Sequence, residues 1–196
     1  MHTIWTGKLV RLRPWQDADE LYGFNLRNNI EPSTILGPIW YSLPQEHQLF
    51  EPTGCMDPQR VCLFAIERLD TGELIGLEGA VFLRGTGLAV DVGTFIFAEH
   101  RGQGCGCEAK LLAQCFLFES FPLERVDAYT LASHVRARRG LELCGMHYEG
   151  RRRRCYFSQG RYVDLVYYVI FREQWEKLPV RQYVKRGQAV MRPEAR

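Results

Sequence analysis

The stretch that most constrains this chain is His100-Arg101-Gly102-Gln103-Gly104-Cys105-Gly106, with three glycines in the five residues from Gly102 to Gly106. Val90 to Ala98 before it is apolar and reads as a strand; Glu108 to Phe121 after it reads as a helix. A strand, a glycine loop and a helix in that order present free backbone N–H groups to phosphate oxygens. The glycines remove Cβ atoms that would hold a diphosphate away from the main chain. Arg101 can add a charge-assisted contact. The group that suits such a loop is the diphosphate of a cofactor.

The spacing excludes two common phosphate loops. A Walker loop needs Lys then Ser or Thr after its last glycine, and Cys107 and Glu108 stand there instead. A dinucleotide fingerprint needs Gly-x-Gly-x-x-Gly early in the chain, followed about 20 residues later by an acidic residue. What remains is Arg-x-x-Gly-x-Gly in mid-chain, with a glycine-rich connecting turn as the other reading.

With 196 residues the chain can bury a full core as one domain. A hydrophobic fraction of 46% with 12% aromatics argues against disorder. There is no apolar run long enough to cross a bilayer, and Met1 to Trp5 lacks a secretory pattern, so a cytoplasmic location without membrane partners is expected. The seven cysteines are an odd number, mostly inside apolar runs, and read as reduced core residues. Cys105-x-Cys107 lacks a second ligand pair, so no metal is expected. A net charge of +2 is too small to indicate nucleic acid. The clusters Arg136, Arg138, Arg139 and Arg151 to Arg154 read either as solvated faces or as attraction for phosphates or an acidic substrate.

Local patterning predicts strands at Leu9–Arg13, Val61–Arg68, Glu73–Leu83, Leu88–Phe97, Val126–Thr130, Met146–Phe157 and Tyr162–Phe171. A first helix would start at Asp17, with Glu20 completing a capping box, and run to about Asn29. Pro32 to Pro58 reads as loop with a short helix near Pro44 to Phe50, where Trp40, Tyr41 and Phe50 either line a pocket or pack under the loop. A further helix is expected at Val135–Cys144. Strands alternating with helices make this an α/β or α+β fold with a mixed sheet. The domain is expected to span residues 1–178, with a basic tail at 179–196. That tail either stays mobile or packs on a partner subunit, as in a homodimer.

Several segments together resemble the GNAT superfamily of acyl-CoA-dependent N-acetyltransferases, and within it the branch of ribosomal-protein N-terminal acetyltransferases. They are Gly7 to Pro14 with Asp17-Ala18-Asp19; Gly72-Glu73-Leu74-Ile75-Gly76; Arg101 to Gly106 with Glu108-Ala109; Leu141 to Met146 with Glu149-Gly150; and Gly160 to Asp164 with Glu173-Gln174-Trp175. The resemblance covers roughly residues 5–177. It implies a GNAT-like central sheet, mixed but mostly antiparallel, splayed at the cofactor strand and flanked by about four helices. It implies acetyl-CoA as cofactor, and an acetyl group moved to a primary amine by direct attack in a ternary complex. The amine would belong to a small molecule or a protein N-terminus. The alternative is a protein that binds acyl-CoA with little or no turnover; a third reading keeps the scaffold for protein contacts alone.

The resemblance also assigns residues. The backbone of Phe95, Ile96 and Phe97 would pair with the pantetheine arm, one of their N–H groups polarising the thioester carbonyl. Arg101, Gly102, Gln103, Gly104, Cys105 and Gly106 would hold the diphosphate. Asp91 or Glu78 would take the ammonium proton. The branch places Asn, then Ser three residues on, at the start of the late helix; here His134 and Ala137 stand there. Leu141 stands where many GNAT enzymes carry a tyrosine acid. The pantetheine contact therefore passes to His134, and the proton donor is His134, Tyr148 or solvent. Acceptor choice would lie in Glu31–Arg60 and Tyr148–Arg161, and Phe24, Trp40 and Phe97 could limit acyl length.

Overall fold

The computed structural model describes residues 5–16, 19, 56–57, 61–82, 89–158 and 160–187. The expected first helix from Asp17 to Asn29 apart from Asp19, nearly all of the Pro32–Pro58 loop, with Phe24, Trp40, Tyr41 and Phe50, and Arg192 and Arg196 of the tail lie outside them.

The strands are β1 Trp5–Thr6, β2 Val10–Pro14, β3 Met56–Asp57, β4 Val61–Arg68, β5 Leu74–Phe82, β6 Ala89–Ile96, β7 Arg125–Leu131, β8 His147–Ser158, β9 Arg161–Phe171 and β10 Lys185–Arg186. Among the described residues the α-helices are α1 Cys105–Ser120, α2 Val135–Leu143 and α3 Arg172–Trp175. The strands form one sheet in the order β10-β1-β2-β4-β5-β6-β7-β9-β8, with β3 paired to β4 beside that path. Within it β6 and β7 run parallel, and the other described pairings are antiparallel. This is the GNAT-like fold that the resemblance implies.

Period-two alternation divides the sheet into two faces. In β4, Cys62, Phe64 and Ile66 turn toward α1 and join the main core, while Leu63 and Ala65 turn away and pack with Trp15. Helix α1 buries Ala109, Leu112, Ala113, Leu117 and Phe118 against that main core. Full burial of a Leu- or Phe-sized side chain contributes about 1.5–3 kcal/mol, so α1 is locked over the sheet.

Helix α1 begins three residues before the expected Glu108. Gly104, at φ +85°, takes the left-handed conformation at its N-cap, a geometry glycine adopts without a Cβ penalty, and so the helix starts inside the glycine loop. Residues 179–187 fold back on the domain. Pro179–Gln182 makes a 3₁₀ turn that buries Val180, and β10 adds to the sheet beside β1. In β8, Arg151 to Arg154 are all exposed. The register breaks between Arg152 and Tyr156 and Arg154 has φ +50°, so the bulge interrupts the alternation expected of these arginines. Among the described residues no helix is long and apolar enough to cross a membrane.

Candidate cofactor cleft and active site

The parallel ladder between β6 and β7 is short. It joins only Ala89, Val90 and Asp91 to Arg125, Val126 and Asp127. Past that point β6 follows β5 as far as Ile96, and β7 follows β9 as far as Leu131. The two strands part after Asp91 and Asp127, opening the sheet between them. Two glycines hold β6 on its own side. A Cβ on Gly76 would run into the Phe95 carbonyl oxygen, so only glycine lets β5 approach there. A Cβ on Gly106 would stand 3.1 Å from Cγ1 of Ile96, so α1 presses directly on the end of β6.

Backbone alternation decides which β6 groups face the gap. Phe97 N–H donates to the Ile75 carbonyl at 2.9 Å, so it turns toward β5. The antiparallel register then turns Phe95 N–H the same way, and those of Thr94 and Ile96 toward the gap. Of Phe95, Ile96 and Phe97, Ile96 is therefore the residue with an N–H aimed into the opening. Its carbonyl accepts from Nε of Arg101 at 2.7 Å. The Arg101 guanidinium also lies over the Phe95 ring, 5.3 Å from its centroid.

The loop beyond Arg101 is shaped by Gly102 at φ +81° and Gly104 at φ +85°. A Cβ on Gly102 would meet no atom within 4 Å, which leaves open space on that side of the turn. The first helical bond of α1 runs from Glu108 N–H to the Gly104 carbonyl at 3.0 Å. The N–H groups of Cys105, Gly106 and Cys107 precede it and lie at the positive end of the helix. These features fit a diphosphate. The Gln103 side chain is engaged by Arg68 at 2.5 Å, so toward a ligand this residue offers its main chain.

Sequence reasoning missed what anchors the loop. The Glu108 carboxylate is buried and accepts from the N–H groups of Lys8, Leu9 and Val10 at 2.8, 2.6 and 2.9 Å. It ties the first turn of α1 to the β1–β2 turn. A Cβ on Gly7 would stand 2.5 Å from the Glu108 carboxyl carbon. The paired signal was an early glycine turn and a glutamate at the head of the helix, about a hundred residues apart.

The two candidate bases lie on opposite faces. Glu78 points under α1 and is fully buried, with its Oε1 3.3 Å from Nζ of Lys110. Burial pushes its carboxyl above the usual range, against the pull of Lys110. Asp91 points the other way, at the vertex where β6 and β7 part, next to Asp127 in the ladder. It is half-buried, and among the described residues no hydrogen bond or ion pair is made by its carboxylate. Burial raises its pKa, the Asp127 charge adds to this, and Arg125 opposes it. Asp127 itself is clasped by Arg125, which also reaches Glu149 at 2.7 Å. On the same face Gly93 is exposed with nothing among the described residues within 4 Å of its missing side chain, and Tyr129 is 41% exposed beside Tyr167. Burial, then Asp91, raise the Tyr129 phenol.

His134 is the N-cap residue of α2 but makes no side-chain cap bond. Its Nδ1 lies 3.5 Å from Oγ1 of Thr130, at the end of β7 on the open side of the gap. Leu141 is buried in the core, and Tyr148 is 56% exposed on β8 against Tyr168. Cys105 is buried in the core, whereas Cys107 faces Cys144, so the Cys105-x-Cys107 pair does not converge.

A family model described as an acetyltransferase (GNAT) domain matches residues 10–147. The chain is 26% identical over 151 residues to a probable N-acetyltransferase, YjcK, of Bacillus subtilis, covering 74% of this chain and 83% of that one. Its fold is similar to the spermidine N-acetyltransferase of Vibrio cholerae, solved in complex with CoA and spermine. That match has a TM-score of 0.77 and 22% identity, covering 86% of this chain and 98% of the other. It is also similar to the ribosomal-protein-S5-alanine acetyltransferase of Vibrio fischeri, with a TM-score of 0.74 and 15% identity over 87% and 97% of the two chains.

Proposed function

The chain belongs to the GNAT acetyltransferase family, with acetyl-CoA as cofactor and N-acetylation as its class of reaction, and on that premise we propose that it acetylates a primary amine that docks as an ammonium at Asp91. The observation that carries this reading is the parting of β6 and β7 directly after Asp91, with the glycine loop at the far end of β6. Similar folds act on amines of both sizes considered above: spermidine, and an alanine of a ribosomal protein.

The residues divide the work along the cleft. N–H groups of Gly102 to Cys107 and the positive end of α1 bind the diphosphate, and Glu108 keeps that turn in place. The Thr94 and Ile96 edge of β6 orients the arm of the cofactor by strand-like pairing. Acetyl-CoA, when bound, supplies the acetyl group on a thioester. The Ile96 N–H is the donor placed to polarise its carbonyl oxygen; one such donor is worth on the order of 3 kcal/mol in other enzymes. Asp91 takes the proton from the ammonium, directly or through a water, because the raised pKa of its unpartnered carboxylate brings it closer to the amine's. Glu78 serves as the buried partner of Lys110. His134, at the mouth, is the imidazole available to return a proton to the departing sulfur.

A protein that binds acyl-CoA without turnover is the second reading, favoured by the missing hydroxyls at Ala137 and Leu141. Calorimetric titration with CoA, followed by thiol release from acetyl-CoA in a panel of polyamines, small amines and peptide N-termini, separates the two. The proposal expects binding and amine-dependent release. Binding with no release from any amine supports the second reading, and no binding at all removes both.

A further inference from the structure

The cysteines were read above as reduced core residues, yet two of them meet. Sγ of Cys107 lies 3.0 Å from Sγ of Cys144, and the Cys144 thiol also approaches the Cys107 carbonyl at 3.4 Å. The pair joins the two helices that flank the cleft. Cys107 is the third residue of α1, which lies over β6, and Cys144 is the C-cap of α2, which lies against β7 and β8. Cys107 is half-buried and reachable, whereas Cys144 is buried. A hydrogen bond from Cys144 holds the Cys107 thiol below its usual range, with Lys110 adding to the effect and burial opposing it. The same hydrogen bond and burial push the Cys144 thiol up. Cys107, the accessible member, is the sulfur an oxidant reaches first, and Cys144, buried beside it, is the resolving thiol.

We propose that Cys107 and Cys144 form a reversible thiol–disulfide site, oxidised by a peroxide, whose closure weakens cofactor binding. The Cys107 thiolate attacks one peroxide oxygen; the O–O bond breaks, and the leaving hydroxide takes a proton to become water. The Cys144 sulfur then attacks Sγ of the resulting sulfenic acid, its proton leaving with the hydroxyl as a second water. Two thiols are oxidised and one hydrogen peroxide is reduced to two waters. A disulfide is about 2.05 Å long, so closure brings the two sulfurs about 1 Å nearer and ties the first turn of α1 covalently to the end of α2. That turn carries the N–H groups of Cys105, Gly106 and Cys107. The coupling to the cofactor rests on the reading of this loop as the diphosphate cradle. By reciprocity, bound CoA shifts the thiol–disulfide equilibrium toward the two thiols.

The full chain with Cys55 and Cys155 changed to Ser is treated with hydrogen peroxide and then with dithiothreitol. Peptide mass spectrometry locates the bond, and calorimetry measures CoA affinity before oxidation, after it and after reduction. The proposal expects a Cys107–Cys144 linked peptide, CoA affinity about tenfold weaker in the linked form, and recovery on reduction. Cys144→Ser should give no linked peptide and leave the oxidation at the Cys107 sulfenic acid. Absence of the linked peptide, or equal CoA affinity in reduced and linked protein, overturns the proposal. Reduced protein that does not bind CoA overturns the reading of the loop instead, and with it the coupling, while the linked peptide still reports on the thiol pair.

Discussion

The two faces of the sheet at the parting strands carry different kinds of charge. Under α1 every buried carboxylate is engaged: Glu78 with Lys110, and Glu108 with three backbone N–H groups. On the opposite face Asp127 is held by Arg125, but Asp91, one strand away, has no such partner among the described residues. A buried paired charge costs desolvation and returns it in fixed geometry. A half-buried unpaired one is destabilising and is retained where chemistry needs it. On the proposed reading, the face under α1 builds the cleft and the face with Asp91 works in it.

Substitutions that break this comparison are ranked by expected effect. Asp91→Asn should lower kcat by about 10²–10⁴ with CoA affinity unchanged. It should also raise the thermal midpoint at neutral pH. Because the folded pKa of Asp91 lies above its unfolded value of 3.8, its contribution to stability is full below that value and is lost as pH rises through the folded pKa. The kcat/KM profile of the parent should fall on the acid side with an apparent pKa above the ordinary carboxylate range, and that limb should move or vanish in the variant. A loss of stability at pH 7 with undiminished kcat would place Asp91 among the structural charges.

Glu78→Gln should do the reverse, destabilising the fold by about 3 kcal/mol by leaving the Lys110 charge unpaired, with kcat of the folded protein close to the parent. Denaturant titration and steady-state rates read the two effects separately, and equal kcat losses in the Glu78 and Asp91 variants would erase the distinction between faces. Glu108→Ala removes the acceptor for three N–H groups and should cost about 2 kcal/mol. Its CoA affinity should fall as well, since the anchored turn is the proposed cradle; titration with CoA checks this. His134→Ala is expected to have the smallest effect, about tenfold or less on kcat, seen as a change in the alkaline side of the rate profile. An unchanged profile assigns the proton return to solvent or another group.

The glycine loop was legible because its conformation is written locally: Gly102 and Gly104 both need positive φ, and neither depends on a distant partner. The strands were legible for the same reason, with Val61–Arg68 recovered to its ends by alternation. The choice between Glu78 and Asp91 was not. It depends on the β5–β6 register, which pairs Glu78 with Thr94 and Val81 with Asp91 and so places the two carboxylates on opposite faces. Nor was the role of Glu108, whose partners lie about a hundred residues earlier, or the meeting of Cys107 with Cys144 across 37 residues. Contacts of that range are set by how α1 and α2 dock, which local patterning does not record. Nor could alternation show that Val180 and the Lys185–Arg186 strand, in the described part of the tail, gain order from the sheet edge they meet.

The most direct test is amide hydrogen exchange of the reduced protein with and without CoA, read at single residues along β6 and the glycine loop. The account predicts slowed exchange at Thr94, Ile96 and the amides from Gly102 to Cys107, and little change at Phe97, whose N–H is already bonded to Ile75. Unchanged exchange at Thr94, Ile96 and the loop with CoA bound would contradict it.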